Sequence, residues 1–240
     1  IAHIDQCPRL PEGQSDGAAL APSQENTSWS FYGYVASRLR YLLLNYLAMK
    51  DSPVLTPRLH AVVLRMIQAH AQHLASLGEA AYAGNYCSAT GKALFLTAML
   101  LPEVRVDDRF AEQMFQHLQR ALEKELLSDG CHMHRSFSYH LNFVERPLSM
   151  ILAAKHAGRT GEIPRDFLKT IEKTTDAFAL MSTPIRSTPG INDDWTVAVS
   201  RTDLLNLAAD AFDREEWRHL ATDGESGEPP GKLSCLLPEA

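Results

Sequence analysis

Apolar residues return every three to four positions through seven long segments of this chain, and no stretch alternates apolar and polar residues as a half-buried strand does. The first segment, "NTSWSFYGYVASRLRYLLLNYLAMK", puts Trp29, Tyr32, Val35, Leu39 and Leu42 at helical spacing behind a Ser/Thr cap. "SPVLTPRLHAVVLRMIQAHAQHLASL" is the second, with His60, His70 and His73 along it. "SATGKALFLTAMLL" is the third, stopped by Pro102, and "DDRFAEQMFQHLQRALEKELL" the fourth, opened by two acids that suit the helix dipole. "FVERPLSMILAAKHAG" is the fifth, closed by Gly158. "PRDFLKTIEKTTDAFALMS" is the sixth, with Pro164 near its first turn, and "SRTDLLNLAADAFDREEWRHLA" the seventh. Helices of this length on moderately short connections predict an all-α fold of antiparallel helical hairpins. No fixed-period self-similarity of the kind repeat proteins carry is present.

With 240 residues, 45% of them hydrophobic, the chain is long enough for one sizeable core. A formal net charge of −6 argues against nucleic acid or an anionic membrane surface as partner. Cys7, Cys87, Cys131 and Cys235 are far apart and form no Cys-x-x-Cys pair, so no disulfide framework is read from them. No apolar run reaches membrane-spanning length, and no signal peptide is visible; the chain begins with Ile1, and the expectation is a processed or trimmed start. Residues 1–26 read as an irregular lead-in rich in Pro, Gly, Ser and Gln, residues 27–222 as the helical domain, and residues 223–240 as a linker toward a domain that follows.

The densest polar cluster is "DGCHMHRSFSYH", Asp129 to His140. His132 and His134 are one residue apart, a spacing that suits a strand better than a helix, and no HExxH or Cys/His pairing supports them, so no metal is assigned and no cofactor is expected. The stretch reads as a polar loop before the fifth helix. His60, His70, His73, His117, His156 and His219 each sit alone on a helix and read as surface or satisfied core positions. The run "EKE" at Glu123–Glu125 reads as a solvated helix face. "TPGINDDWT" places Asn192, Asp193 and Asp194 in a turn before a helix, where Asn and Asp serve as turn and cap residues. "GNYCSATGKAL" has the same shape, with Gly84 breaking the chain before Asn85, Tyr86 and Ser88. In an antiparallel helical array, helix ends two elements apart lie on one rim. Asn85/Tyr86 and Tyr139/His140 are therefore placed to face one cleft.

In order and spacing, "GNYCSATGKALFLTAMLLPEV", then "LLSDGCHMHRSFSYH", then "TPGINDDW" and the closing "ATDGESGEPPGKLSCLLPEA" resemble the heparinase II/III-like polysaccharide lyases and their alginate-lyase relatives. The resemblance runs from about Trp29 to the end. It implies an incomplete (α/α) toroid followed by an antiparallel β-sandwich domain, an anionic uronate polysaccharide as substrate, and cleavage by β-elimination in the periplasm or outside the cell. It also implies residues. Asn85 would be the neutral donor that stabilises the enolate-like charge after loss of the C5 proton, with Tyr139 as base, acid or both. Tyr86 stands where many relatives have histidine, and His134 where many have glutamate. Tyr86 is read with the catalytic pair, while His134, Arg135, His140, Asn192, Asp193 and Trp195 are read as substrate contacts. His134, Arg135 and His140 could also supply a cationic field for Tyr139.

Two other classes fit part of the pattern. A glycoside hydrolase on an (α/α) toroid would need two carboxylic acids, for which Asp129 and Asp193 or Asp194 are candidates. A non-catalytic polysaccharide-binding helical domain would need neither.

Overall fold

The computed structural model describes residues 31–82, 84–104, 110–182, 190–192 and 200–227. The lead-in and residues 228–240 of the expected linker lie outside the described residues. Among those described, eight α-helices follow one another: α1 (Tyr32–Met49), α2 (Pro57–Ser76), α3 (Cys87–Leu100), α4 (Phe110–Glu125), α5 (Phe137–His156), α6 (Arg165–Ser182), α7 (Arg201–Phe212) and α8 (Glu215–Ala221). A single isolated antiparallel bridge, Leu126 to His132, is the only extended pairing among them.

Burial decides which helices lie inside. In α3, residues 90–97 are buried without a break, together with Cys87, Ser88 and Met99. A helix covered on every side needs neighbours on every side. It has them in α1, α4 and α5. In α2, by contrast, only Ile67, Ala71 and Leu74 are buried, at the spacing of one helical stripe. The packing follows the same division: α1 packs on α3, α3 on α5 and α5 on α7, while α2, α4, α6 and α8 each pack on the helix before them. This is an inner arc with an outer helix behind each member, an incomplete (α/α) toroid of antiparallel hairpins. No substantial packing joins α7 back to α1 among the described residues.

Gly91 lets α4 close on α3. A Cβ there would lie 2.9 Å from Leu118 Cδ2, so the position gives up about 0.5–1 kcal/mol of helix propensity for a close approach. Polar groups pin α3 to α5: Lys92 Nζ donates to Glu145 Oε1 at 2.5 Å, Ser149 Oγ donates to the same oxygen at 3.0 Å, and Arg146 Nη1 donates to Ser88 Oγ at 3.0 Å.

Three boundaries differ from the sequence reading: α2 begins at Pro57 behind a Thr56 cap rather than at Ser52, and the other two concern α5 and the seventh segment. α5 begins at Phe137 rather than Phe143, because buried Ser138 and His140 interrupt the apolar pattern on a face that also buries Phe137, Leu141 and Val144. Pro147 therefore sits inside the helix rather than in its first turn. The seventh segment divides into α7 and α8 where Asp213 takes a left-handed conformation, φ 55°.

Asp176 holds α6 to α8. Its buried carboxylate accepts from Trp217 Nε1 at 3.0 Å and from Arg214 Nη1 at 3.2 Å, and the Arg214 guanidinium lies over the Trp217 ring. Asp176→Ala leaves both donors without this acceptor and should cost about 3–5 kcal/mol, read as a lower urea midpoint at unchanged m-value. Asp166→Ala, at an exposed side chain of the same helix, should stay within about 0.5 kcal/mol.

Candidate functional site

Between α4 and α5 the chain reverses tightly. Leu127 N–H donates to the Cys131 carbonyl at 2.8 Å, Gly130 N–H to the Leu127 carbonyl at 2.9 Å, and Met133 N–H to the Glu125 carbonyl at 2.8 Å. Asp129 Oδ1 accepts from Cys131 N–H at 2.9 Å, the side-chain bond that favours aspartate in turns. Gly130 is left-handed, φ 87°, and a Cβ on it would lie 3.0 Å from the Lys173 carbonyl oxygen. His132 pairs with Leu126 in an isolated bridge, and the turn after it, closed by Arg135 N–H donating to the His132 carbonyl at 2.9 Å, leaves His132 and His134 both near Glu125 at the end of α4.

The three side chains form one cluster. His132 Nε2 is 3.4 Å and His134 Nε2 3.9 Å from Glu125 Oε2. The His132 side chain is fully buried, Glu125 is 13% exposed and His134 is 41% exposed. His132 Nδ1 accepts from His134 N–H at 3.3 Å, which leaves the ring hydrogen on Nε2, facing Glu125. Burial first, then His134 and His140, pushes the His132 pKa down to about 3. His140 stands behind it: Nδ1 accepts from His132 N–H at 3.1 Å, so Nε2 carries the hydrogen and donates to the Thr174 carbonyl at 3.0 Å. Burial drives the His140 pKa down to about 4.

Tyr139, in the first turn of α5, lies against this cluster, its ring 4.5 Å from that of His134 and stacked at 5.8 Å on that of His132. Tyr86 opens α3 and packs edge-on against Phe31 and Tyr32, at 5.0 and 5.9 Å between ring centroids; a Cβ on Gly33 would collide with its ring. Asn85 lies in the short 3-10 turn Gly84–Tyr86, and its side chain is outside what is described. Arg135 is exposed and left-handed, φ 50°. Its carbonyl accepts from Asn192 Nδ2 at 2.9 Å, which ties the 190–192 segment to the front of α5. Asp193, Asp194 and Trp195 lie outside the described residues.

Several readings change. His140 was placed among the substrate contacts and the cations around Tyr139; it is 2% exposed, has both nitrogens engaged and is neutral near pH 7, so it does neither. Its role is to fix the His132 backbone. Glu125 is no solvated face, since the reversal carries two histidines over it; no helical period in "EKE" signals that. Asp129, the hydrolase candidate, is a turn residue. Arg146 and Lys92 went unremarked because they sit mid-helix among apolar residues. Both are half-buried or buried on the α3–α5 contact. The Lys92 pKa is lowered, by burial first and with Arg40 and Arg146 adding to it against Glu145.

Gly130→Ala tests how tightly the reversal is set. A left-handed alanine against the Lys173 carbonyl should cost about 1–3 kcal/mol in urea unfolding. Gly161→Ala, where a Cβ meets nothing within 4 Å, should be neutral or stabilise by up to about 1 kcal/mol.

Comparison with known proteins places this arrangement in a family. Residues 2–218 match the sequence profile described as the heparinase II/III N-terminus. A heparin-sulfate lyase of Pedobacter heparinus is 24% identical over 224 residues, covering 92% of this chain and 34% of that protein, and one of Bacteroides thetaiotaomicron is 24% identical over 159 residues, covering 62% and 23%. In fold, the chain is similar to the crystal structure of a heparan sulfate lyase from Pedobacter heparinus, with a TM-score of 0.70 at 23% identity over 89% of this chain and 34% of that one. A crystal structure of heparinase III gives 0.71 at 22% identity over 91% and 34%. The chain thus spans about a quarter to a third of the length of these relatives. With nine-tenths of its length under the family profile and the inner arc of helices to match, the chain belongs to the heparinase II/III N-terminal family.

Proposed function

We propose that this chain is the helical part of a polysaccharide lyase that cleaves a uronic-acid-containing, heparan sulfate-type polysaccharide by β-elimination, acting in the periplasm or outside the cell. The observation that carries the reading is Tyr139 in the first turn of an inner helix, against His134 on the open rim. In the proposed reaction Tyr139, as phenolate, takes the C5 proton of the uronate. The electron pair left at C5 forms the C4=C5 double bond as the C4–O4 bond breaks, and a proton passes to O4. Where C5–H and O4 share one face of the sugar, the same phenol returns that proton.

Asn85 is proposed as the amide that stabilises charge developing on the uronate carboxylate. Its backbone opens the inner helix next to the one that bears Tyr139, which supports the pairing. Tyr86, read from sequence with the catalytic pair, packs against Phe31 and Tyr32, an environment that favours a wall of the cleft. His134 and Arg135, both exposed, are proposed to meet the anionic sugar, with Asn192 keeping Arg135 in place. Asp193 and Trp195 remain proposed contacts from the family resemblance. A β-sandwich domain following in the parent protein is proposed to close the other half of the cleft.

The test is ultraviolet absorbance at about 235 nm, where the unsaturated uronate formed by acid–base elimination absorbs, on heparan sulfate, alginate and hyaluronate. It is run with this chain and with the chain continued through the proposed sandwich domain. Absorbance should rise on heparan sulfate with the longer protein, and Tyr139→Phe should lower kcat/KM by about 10²–10⁴-fold. New reducing ends without absorbance would replace the lyase by a hydrolase. Binding without turnover would leave a carbohydrate-binding domain.

A further inference from the structure

We propose that Glu125, His132 and His134 bind a divalent transition-metal ion of the zinc class. The inference does not rest on the lyase reading, and it reverses the absence of metal expected from the sequence. What the sequence lacked was the third ligand. It comes from the end of α4, seven positions before His132, brought round by the Asp129–Gly130 reversal.

Geometry and chemistry agree. One ligand atom from each residue lies within 4.8 Å of the others. An ion held at about 2.0–2.1 Å from nitrogen and oxygen ligands in tetrahedral geometry sets ligand atoms roughly 3.3–3.4 Å apart. The 3.4 Å from His132 Nε2 to Glu125 Oε2 matches that spacing, and the 3.9 Å from His134 Nε2 is longer than it. The remaining gap closes by rotation of His134, the exposed member. Two imidazoles and one carboxylate form a ligand set suited to zinc with a fourth position open. His132 Nε2 and Glu125 Oε2 are both buried and have no hydrogen-bond partner among the described residues, the state of ligand atoms facing an ion site.

Binding changes one hydrogen position. With an ion on Nε2 the His132 ring hydrogen moves to Nδ1, and the long 3.3 Å contact from His134 N–H is given up. The same three side chains without an ion are the competing state, and the two are separable. The full chain is stripped with a chelator, loaded with Zn²⁺, desalted and assayed for metal by mass spectrometry. Affinity is then read by competition with a chromogenic chelator, and Co²⁺ is substituted for its visible spectrum.

One zinc per chain is expected, with cobalt absorption of tetrahedral or five-coordinate intensity. His134→Ala, at an exposed side chain, and Glu125→Gln should each weaken binding by at least about tenfold. Circular dichroism confirms that both variants fold. No retained ion in the parent chain, or retention undiminished in both folded variants, would overturn the proposal; the latter would place the metal on other histidines.

Discussion

The contact between α3 and α5 sets the rest of the arc. Both helices are buried on most of their surface, so the polar atoms between them must find one another. Lys92 meets Glu145, and Ser88 meets Arg146, so two adjacent residues of α5 reach two successive turns of α3. Desolvation is the largest influence on Lys92 and on Arg146, lowering the pKa of both, which says that the ion pair does not fully offset the cost of leaving water. Its value lies in register. Sliding α5 by a turn would leave a buried ammonium and a buried carboxylate unpaired, so the N-terminal ends of the two helices stay side by side. That alignment is what puts Tyr86 and Tyr139 on one rim.

The rim itself is fixed by backbone conformations that most residues avoid. Gly130, Arg135 and Asn192 are all left-handed. For Arg135 this costs about 1–2 kcal/mol, offset by the Asn192 amide on its carbonyl and by its own N–H donating to His132 at 2.9 Å. The turn at Arg135 frees Ser136 to be extended, and α5 starts at once behind it. Tyr139 therefore stands on a rigid first turn, with His132 behind it locked through His140 and Thr174. A side chain held this way keeps its orientation without a ligand to impose it.

The helices were legible because burial on an outer helix writes a stripe into the sequence, and because Pro102, Pro164 and Gly158 end or open segments for steric reasons. The inner positions were harder. α3 reads as helix only by length and composition, since a helix buried all round has no stripe. The start of α5 was missed because its first turn buries Ser138 and His140, polar residues satisfied by the fold and not by water. Glu125 was missed for the opposite reason. It sits in a charged run whose other members, Glu123 and Lys124, are exposed, and only the reversal seven residues long distinguishes it. The "DG" of that reversal was visible, as was the one-residue spacing of His132 and His134. The two together signal a tight return toward the helix just left, and that combination is the readable clue.

A formal charge of −6 argues against polyanionic partners in general, yet the proposed substrate is a polyanion. The two are compatible because charges farther apart than about 8–10 Å are largely screened at physiological salt, so local groups decide. Arg40 lies close enough to Lys92 and Arg146 to add to the lowering of their pKa, with Glu145 the acid that opposes it. Arg135 and His134 stand exposed at the rim. Many of the acids are elsewhere: Glu112, Glu123, Asp166 and Asp210 are exposed on α4, α6 and α7, and Glu172, Asp176, Glu216 and Asp210 are committed to Arg214 or Arg218. With His132 and His140 held neutral by burial, any positive charge beside Tyr139 comes from His134, Arg135 or a bound ion. Around α3 and α5 the basic groups Arg40, Lys92 and Arg146 thus outnumber the acid Glu145, whereas the sequence as a whole is acidic.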